Sequence, residues 1–340
     1  MNIRNLRTKT KASLLVLLFI LIVIPISLSL NRTITDTQDT FTTFIKNSNG
    51  NYWIANSSNV QVAIDELGSD GGIVWLPGSD NFTITSTLII RDKIRLEMQG
   101  STIAPSGDFD VISLRPGSQI KGGIINVSSV GTFDSSAITF NATDNYSFRN
   151  HISRIQDLEL ISASLRGTGI LFATQGSTAQ AIVNTETNNV RMIDFEYGIL
   201  LNNTGTNAYI KSNTFSDIYG HGNKYFIKVF ESQSAIEGNY FFNIQHNCTS
   251  NTEYIIWNNG RGNIYDTIIA YNWNNNSGAK VAYNFSTSGV GHEGADQIFL
   301  SFRGGSGDIA IGNWSVINNS YTILDYEAGN LTLGEVNELG

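Results

Sequence analysis

Residues 198–241 read GILLNNTGTNAYIKSNTFSDIYGHGNKYFIKVFESQSAIEGNYF, and this stretch says the same thing twice. A short apolar run (Gly198-Ile-Leu-Leu201) leads to Ile210-Lys-Ser-Asn213-Thr-Phe215. A second run (Phe226-Ile-Lys-Val229) leads to Ile236-Glu-Gly-Asn239-Tyr-Phe241. Working outward, similar runs begin at Val111 (VISL), Ala137 (AITF), Gly169 (GILF), Tyr254 (YIIW) and Gln297 (QIFL). With the two above, the steps are 26, 32, 29, 28, 28 and 43 residues. Phe82 (FTIT) and Tyr321 (YTIL) extend the series at either end, and Ile269–Trp273 and Ala310–Trp314 are looser copies of the Asn phrase, with Asn272 and Asn313. A strand-length phrase recurring at this period is the mark of a solenoid. Asn and Gly suit its bends because both tolerate left-handed backbone, and stacked Asn side chains can pair from coil to coil. The series predicts an all-β parallel β-solenoid of about nine coils, a rod roughly 43 Å long at about 4.8 Å per coil. An antiparallel sandwich would need tight hairpin turns, and Asn-Gly occurs only at Asn49-Gly50 and Asn259-Gly260.

Composition narrows the class. Of 340 residues, 41% are apolar, enough to fill a core, while the 15% charged fraction excludes a long coiled coil. One cysteine, Cys248, rules out a disulfide framework and a multi-thiolate zinc site; it is a free thiol or an interchain partner. A net charge of −8 argues against nucleic acid as a partner.

The chain opens as an address. Arg4, Arg7, Lys9 and Lys11 precede the apolar run Leu14–Ile26, and no acidic residue occurs before Asp36. This layout predicts an export signal over residues 1–30, either cleaved or kept as a membrane anchor through 14–30. Residues 31–52 are Thr-rich and read as a linker or stalk; 53–335 form a single solenoid domain. Extracellular or cell-surface placement follows. Asn-X-Ser/Thr sequons stand at Asn31, Asn56, Asn81, Asn126, Asn141, Asn145, Asn202, Asn247, Asn275, Asn284, Asn313, Asn318 and Asn330. Thirteen is nearly double the roughly seven that composition alone gives, so a glycosylated exterior is expected.

Ser58-Asn59-Val60-Gln61 has the form of a capping box, and Val60, Ala63, Ile64 and Leu67 then fall at helical spacing. This short helix leads into Gly71-Gly-Ile-Val-Trp-Leu-Pro-Gly78, Ile84-Thr-Ser-Thr-Leu88 and Ile94-Arg-Leu-Glu-Met-Gln-Gly100. The module resembles the capping helix and first coil of the right-handed parallel β-helix proteins of the pectate-lyase superfamily. The match covers Val60–Ile103; the tyrosine usual after Pro-Gly is replaced by Ser79-Asp80-Asn81-Phe82. The resemblance implies a right-handed coil and a choice among polysaccharide lyases, hydrolases, epimerases, tailspikes and non-enzymatic surface proteins. Fold does not choose among them.

By that resemblance, catalysis would sit on outward residues of the lead strands. If Ile112, Ile138, Ile170, Ile199, Ile227, Ile255 and Ile298 point inward, alternation turns Ser113, Thr139, Leu171, Leu200, Lys228, Ile256 and Phe299 outward. A parallel stripe holds Arg115, Asn141, Ala173, Asn202, Phe230, Asn258 and Ser301. Neither stripe has a carboxylate. Calcium-assisted lyases need several and glycoside hydrolases need two. Gly220-His221-Gly222 matches one hydrolase motif over three residues only, without its paired aspartates. The better enzymatic candidate is the long step, whose loop ends Gly291-His292-Glu293-Gly294-Ala295-Asp296. There His292, Glu293 and Asp296 would overhang Lys228 and Arg303. Asp108/Asp110 and Asp194/Glu196 lie near bends as surface carboxylate pairs, either solvated or calcium-binding.

The apolar members Leu171, Leu200, Phe230, Ile256 and Phe299 form an outward strip, which suits contact with another chain or stacking on sugar rings. The sequence therefore predicts an exported surface solenoid with a structural, adhesive or glycan-binding role. It needs no cofactor or metal, and its partner is a polysaccharide, an envelope glycan or itself. The alternative is a pectate-lyase-like polysaccharide lyase or hydrolase, with Ca2+ if a lyase.

Overall fold

Ile112, Ile138, Ile170, Ile199, Ile227 and Ile256 stand in register in successive parallel strands, and each is fully buried. A β-branched side chain meeting its own kind above and below packs without gaps, and burying each contributes about 1.5–3 kcal/mol. This column is the spine of a parallel β-solenoid. A computed structural model describes residues 44–46, 50–54, 60–143, 147–148, 152–175, 180–231, 235–260 and 262–271. It further describes the strands Tyr283–Phe285, Gln297–Arg303, Ile309–Ser315, Ser320–Tyr326, Leu331–Leu333 and Val336–Asn337. The leader, most of the 31–52 linker, Ser58 and Asn59 of the capping box, and the loop bearing His292, Glu293 and Asp296 lie outside the described residues.

Two long sheets run along the rod. The first contains, in order, Gly72–Trp75, Ile94–Glu97, Gln119–Asn126, Arg154–Ile161, Glu186–Ile193, Thr214–His221, Tyr240–Asn247, Ile264–Tyr271, Gln297–Arg303 and Ser320–Tyr326. The second contains Leu88–Ile90, Ile112–Leu114, Ser136–Ala142, Thr168–Thr174, Tyr197–Asn203, Tyr225–Glu231, Tyr254–Asn258, Tyr283–Phe285 and Ile309–Ser315. A small third sheet joins Ala181–Val183, Tyr209–Lys211 and Ile236–Glu237. Phe44–Lys46 and Tyr52–Ile54 pair antiparallel before the coils begin. A helix, Val60–Leu67, buries Val60, Ala63, Ile64 and Leu67 beside the opening strands.

Three features of the repeat differ from the sequence reading. The runs at Gln297 and Tyr321 belong to the first sheet, and the run at Phe82 pairs with Thr102–Pro105. The second sheet continues from Ile256 to Tyr283 and then Ile311, so the 43-residue step is no single long coil. First-sheet strands are also short apolar runs, and nothing in their composition says which sheet they join. The third difference is phase. Tyr225 pairs with Tyr254 and Ile227 with Ile256, so Ile256, not Ile255, continues the inward column. Phe226 and Ile255 are both fully buried, which makes the run read equally well one residue out.

The bends carry the polar interior. Asn213, Asn239 and Asn263 are fully buried and stacked. Asn213 Nδ2 donates to Asn239 Oδ1 at 2.9 Å, and Asn239 Nδ2 donates to Asn263 Oδ1 at 2.9 Å. Each oxygen also takes the backbone N–H of the preceding coil's residue, at 3.2 and 3.1 Å. Their nitrogens reach Ile182 O, Ile210 O and Ile236 O. Thr185 ends the ladder through its backbone N and Oγ1, both on Asn213 Oδ1. Beside it Phe215, Phe241 and Tyr265 stack at 4.6 and 4.9 Å. Asn213 and Asn239 of the sequence phrase are thus rungs; the next is Asn263 rather than Asn272, which is not described.

Asn239→Leu removes the acceptor of Asn213's backbone and side-chain N–H groups inside the core. Each orphaned group costs about 1–3 kcal/mol, so the variant is expected to lose several kcal/mol in urea unfolding. An unchanged midpoint would show that the ladder is ornamental. His246 supplies a second test. It is buried against Phe226, 4.6 Å between ring centroids, with Nδ1 3.4 Å from Cys248 Sγ. Burial, helped by the charge of His221, holds its pKa down to about 3. The unfolded chain accepts this proton below about pH 6.5, while the folded chain refuses it until about pH 3. Stability should therefore fall with falling pH across that window, by about 1.4 kcal/mol per pH unit from this one residue. His246→Leu should flatten that part of the profile in unfolding titrations; an identical slope in the variant would refute the assignment.

Candidate functional site on the outer face of the second sheet

Alternation along the second-sheet strands turns Leu171, Leu200, Lys228 and Trp257 to the outside, one per coil and in register. Trp257 takes the place expected of Ile256, which is buried in the core. Phe299 lies in the first sheet, paired with Thr322, and so is not part of this strip. Thr139 lies on this line but is buried. Asn258, expected in the flanking stripe, pairs with inward Val229 and is 1% exposed. In the same stripe Ala173 is buried, Ser301 is a first-sheet residue, and Phe230 stands out at 38% exposure.

Beside the strip runs a second column. Tyr197, Tyr225 and Tyr254 stack with centroids 5.4 and 5.3 Å apart and planes within 27° and 13°. Lys228 reaches across to them. Its Nζ lies 4.7 Å from the Tyr197 ring centre, 4.8 Å from Tyr225 and 5.3 Å from Trp257. Phe230 lies parallel to Trp257 at 6.3 Å. At the edge of the strip Lys224 Nζ stands 3.8 Å from both Glu196 Oε1 and Glu253 Oε1. Tyr225 Oη donates to Glu253 Oε2 at 2.9 Å.

The electrostatics follow from partial burial. Burial, with the neighbouring Glu196 carboxylate, pushes Tyr197 up to about 12; burial and the bond to Glu253 raise Tyr225 further. Burial also lowers the Lys228 ammonium, opposed by Glu196 and aided by Lys224. The face thus offers aromatic rings, one ammonium held against them and tethered carboxylates. It can stack on the C–H faces of sugar rings and hydrogen-bond their hydroxyls. Among the described residues it holds no pair of carboxylates free for acid–base work.

Lys228 and Arg303, expected to meet under one loop, belong to different sheets: Arg303 pairs with Tyr271 of the first sheet. His292, Glu293 and Asp296 lie outside the described residues. Carboxylates do gather on the first sheet, where Asp157, Glu159 and Asp217 line a shallow groove of about 470 Å³ with Asn189, Arg191 and Tyr219. Each is occupied by a neighbouring coil. Asn189 Nδ2 donates to Asp157, Arg191 pairs with Glu159, and Asn188 and Asn243 donate to Asp217. Among the described residues no group of three His, Cys, Asp or Glu side chains is placed to hold a metal. Asp108 and Asp110 accept backbone N–H bonds from residues 134–136, a turn-fastening role. Of the sequons, Asn81 is exposed; Asn126, Asn141, Asn202 and Asn247 are half-buried. The side chains of Asn31, Asn56, Asn145, Asn275, Asn284, Asn313, Asn318 and Asn330 are not described.

The sequence reading missed the tyrosine column and Trp257. A signal existed: a tyrosine stands immediately before the apolar run at 197 and 225 and opens it at 254, at the coil period.

No protein-family model matches the chain, and no curated protein matches it. Among solved structures it is similar to PfbA, a surface adhesin of Streptococcus pneumoniae, at 11% identity and a TM-score of 0.38, over 82% of this chain and 88% of that one. It is also similar to the Dettilon tailspike protein, at 14% identity and a TM-score of 0.38, over 81% of this chain and 64% of that one. Similarity to ORF18 of Geobacillus virus E2 is 14% identity with a TM-score of 0.28, over 73% and 58%. At these values none of them assigns a role to this chain. Among the described residues no helix is long and apolar enough to cross a membrane.

The Gly-His-Gly triplet has a packing explanation. Gly220 faces the interior, where a Cβ would lie 2.4 Å from the Phe226 ring and 2.5 Å from that of His246. His221 is half-buried at the strand end. Gly220→Ala should cost about 1–3 kcal/mol of stability through overpacking, while His221→Ala stays near wild type. Thermal melts of the two variants decide it, and the reverse order would restore a special role for His221.

Proposed function

We propose that this protein is an exported cell-surface solenoid that binds a glycan or envelope component along the outer face of its second sheet. The observation that carries this reading is the aromatic surface of Tyr197, Tyr225, Trp257 and exposed Phe230, repeated at the coil spacing. The tyrosine column repeats one ring per coil over three coils, and contacts at a fixed spacing suit a polymer with a repeating unit. Residues 1–30 serve export, 31–52 act as linker and 53–335 as the binding domain. Among the described sequons exposed Asn81 is the best placed for a glycan of its own. The helix Val60–Leu67 and its following strands support a place in the right-handed pectate-lyase-like superfamily. The same face is the surface through which copies would self-associate if the partner is another chain.

Binding of the full chain to a panel of immobilised polysaccharides tests this. Trp257→Ala should reduce retention about ten-fold, the scale of one lost aromatic contact. Phe242→Ala, on the first sheet at 39% exposure, should not. Equal retention by both variants would place the binding elsewhere. The enzymatic alternative rests on His292, Glu293 and Asp296. It is read in the same panel by unsaturated products and reducing ends, with and without Ca2+. Turnover abolished by Glu293→Gln would replace the binding reading with a lyase or hydrolase.

A further inference from the structure

We propose that Tyr197, Tyr225 and Trp257 form a cation subsite, and that the glycan bound on this face carries a protonated amine, as an amino sugar does, which takes Lys228's place. This deepens the reading above and rests on it. The geometry already contains the complex in miniature, since an ammonium sits within 4.7–5.3 Å of three ring centres. Ring faces are the negative part of an aromatic side chain and attract cations at this distance. The carboxylates at hand outnumber the one other ammonium. Glu196 and Glu253 border the cage with Lys224 paired between them, 5.5 Å from the Tyr225 ring centre, and the whole chain carries a net charge of −8.

Among the described residues Lys228 makes no ion pair, while Lys224 beside it is shared by both glutamates. Lys228 is therefore held against the rings with Glu196 only a more distant opposite charge, on a flexible stem that can return it to water. An anionic sugar entering this cage would meet two carboxylates and three ring faces. A neutral sugar would gain stacking but nothing from the cage. A ligand amine gains both, with Trp257 and Phe230 continuing as a platform for the next ring. Because the chain's own lysine fills the subsite first, the apparent affinity is reduced by the fraction of molecules in which the cage is occupied. Lys228 then acts as a competing occupant rather than as a contact for the ligand.

Calorimetric titration of the full chain with a glucosamine tetramer, its N-acetylated counterpart and a uronic acid tetramer tests this. The wild type should bind the deacetylated tetramer about ten-fold or more tighter than either other, and more weakly as salt rises. Lys228→Met, which empties the cage and keeps its rings, should tighten that binding several-fold; Trp257→Leu should lose it. A uronic or acetylated tetramer bound as tightly, weaker binding by Lys228→Met, or no binding of the deacetylated tetramer by Lys228→Met would each overturn the cation subsite. If another oligomer binds and Trp257→Leu abolishes it, the subsite falls while the glycan-binding face stands. If neither variant changes the binding of any oligomer that binds, both fall.

Discussion

Every coil of this molecule must be compatible with the coil above and the coil below at the same position. Parallel, in-register pairing imposes this, because each residue meets its counterpart at about 4.8 Å rather than a complementary residue from a different strand. Inside, the requirement favours repetition. Isoleucine stands on isoleucine from Ile112 to Ile256, and Phe215, Phe241 and Tyr265 stack as nearly parallel rings. Where the interior has to be polar, the same rule selects a side chain that donates to and accepts from its own kind. Asparagine does both with one amide, which is why Asn213, Asn239 and Asn263 follow one another through the bend.

Outside, repetition is a problem for charge. Like charges on adjacent rungs repel, and the columns avoid it by alternating. Glu196, Lys224 and Glu253 form one such set; Glu159 and Arg191 form another; Asp157 with Asn189 and Asp217 with Asn243 solve it with an amide. Carboxylates used in this way are engaged by their neighbours. A hydrolytic pair instead needs two carboxyls facing a substrate, and no described column of the second sheet supplies them. What the second sheet repeats is aromatic, and aromatic groups can stack on themselves without penalty while leaving edges and faces for a ligand.

Much of the architecture was legible in the chain. The solenoid followed from the recurring phrase, and the inward isoleucines from Ile112 to Ile227 followed from alternation. The candidate strip was half legible: Leu171, Leu200, Lys228 and Phe230 were on it, whereas Ile256 and Phe299 were not. The Ile256 error has a local cause. With aromatic or β-branched residues at 254 through 257, polarity alone does not mark which side faces in, and a one-residue slip exchanges the faces. Phe299 has a topological cause, because a first-sheet strand and a second-sheet strand share one apolar vocabulary.

The order of residues by itself determined the parallel stacking, the repeat length of the central coils and the use of asparagine at the bends. These depend on short-range periodicity, which a linear string displays in full. Which run joins which sheet, where Trp257 stands and how Lys228 comes to lie against Tyr197 and Tyr225 were decided only by the folded rod. Those relations join residues roughly one coil apart, and their register is set by the summed packing of all coils rather than by any one segment's preference.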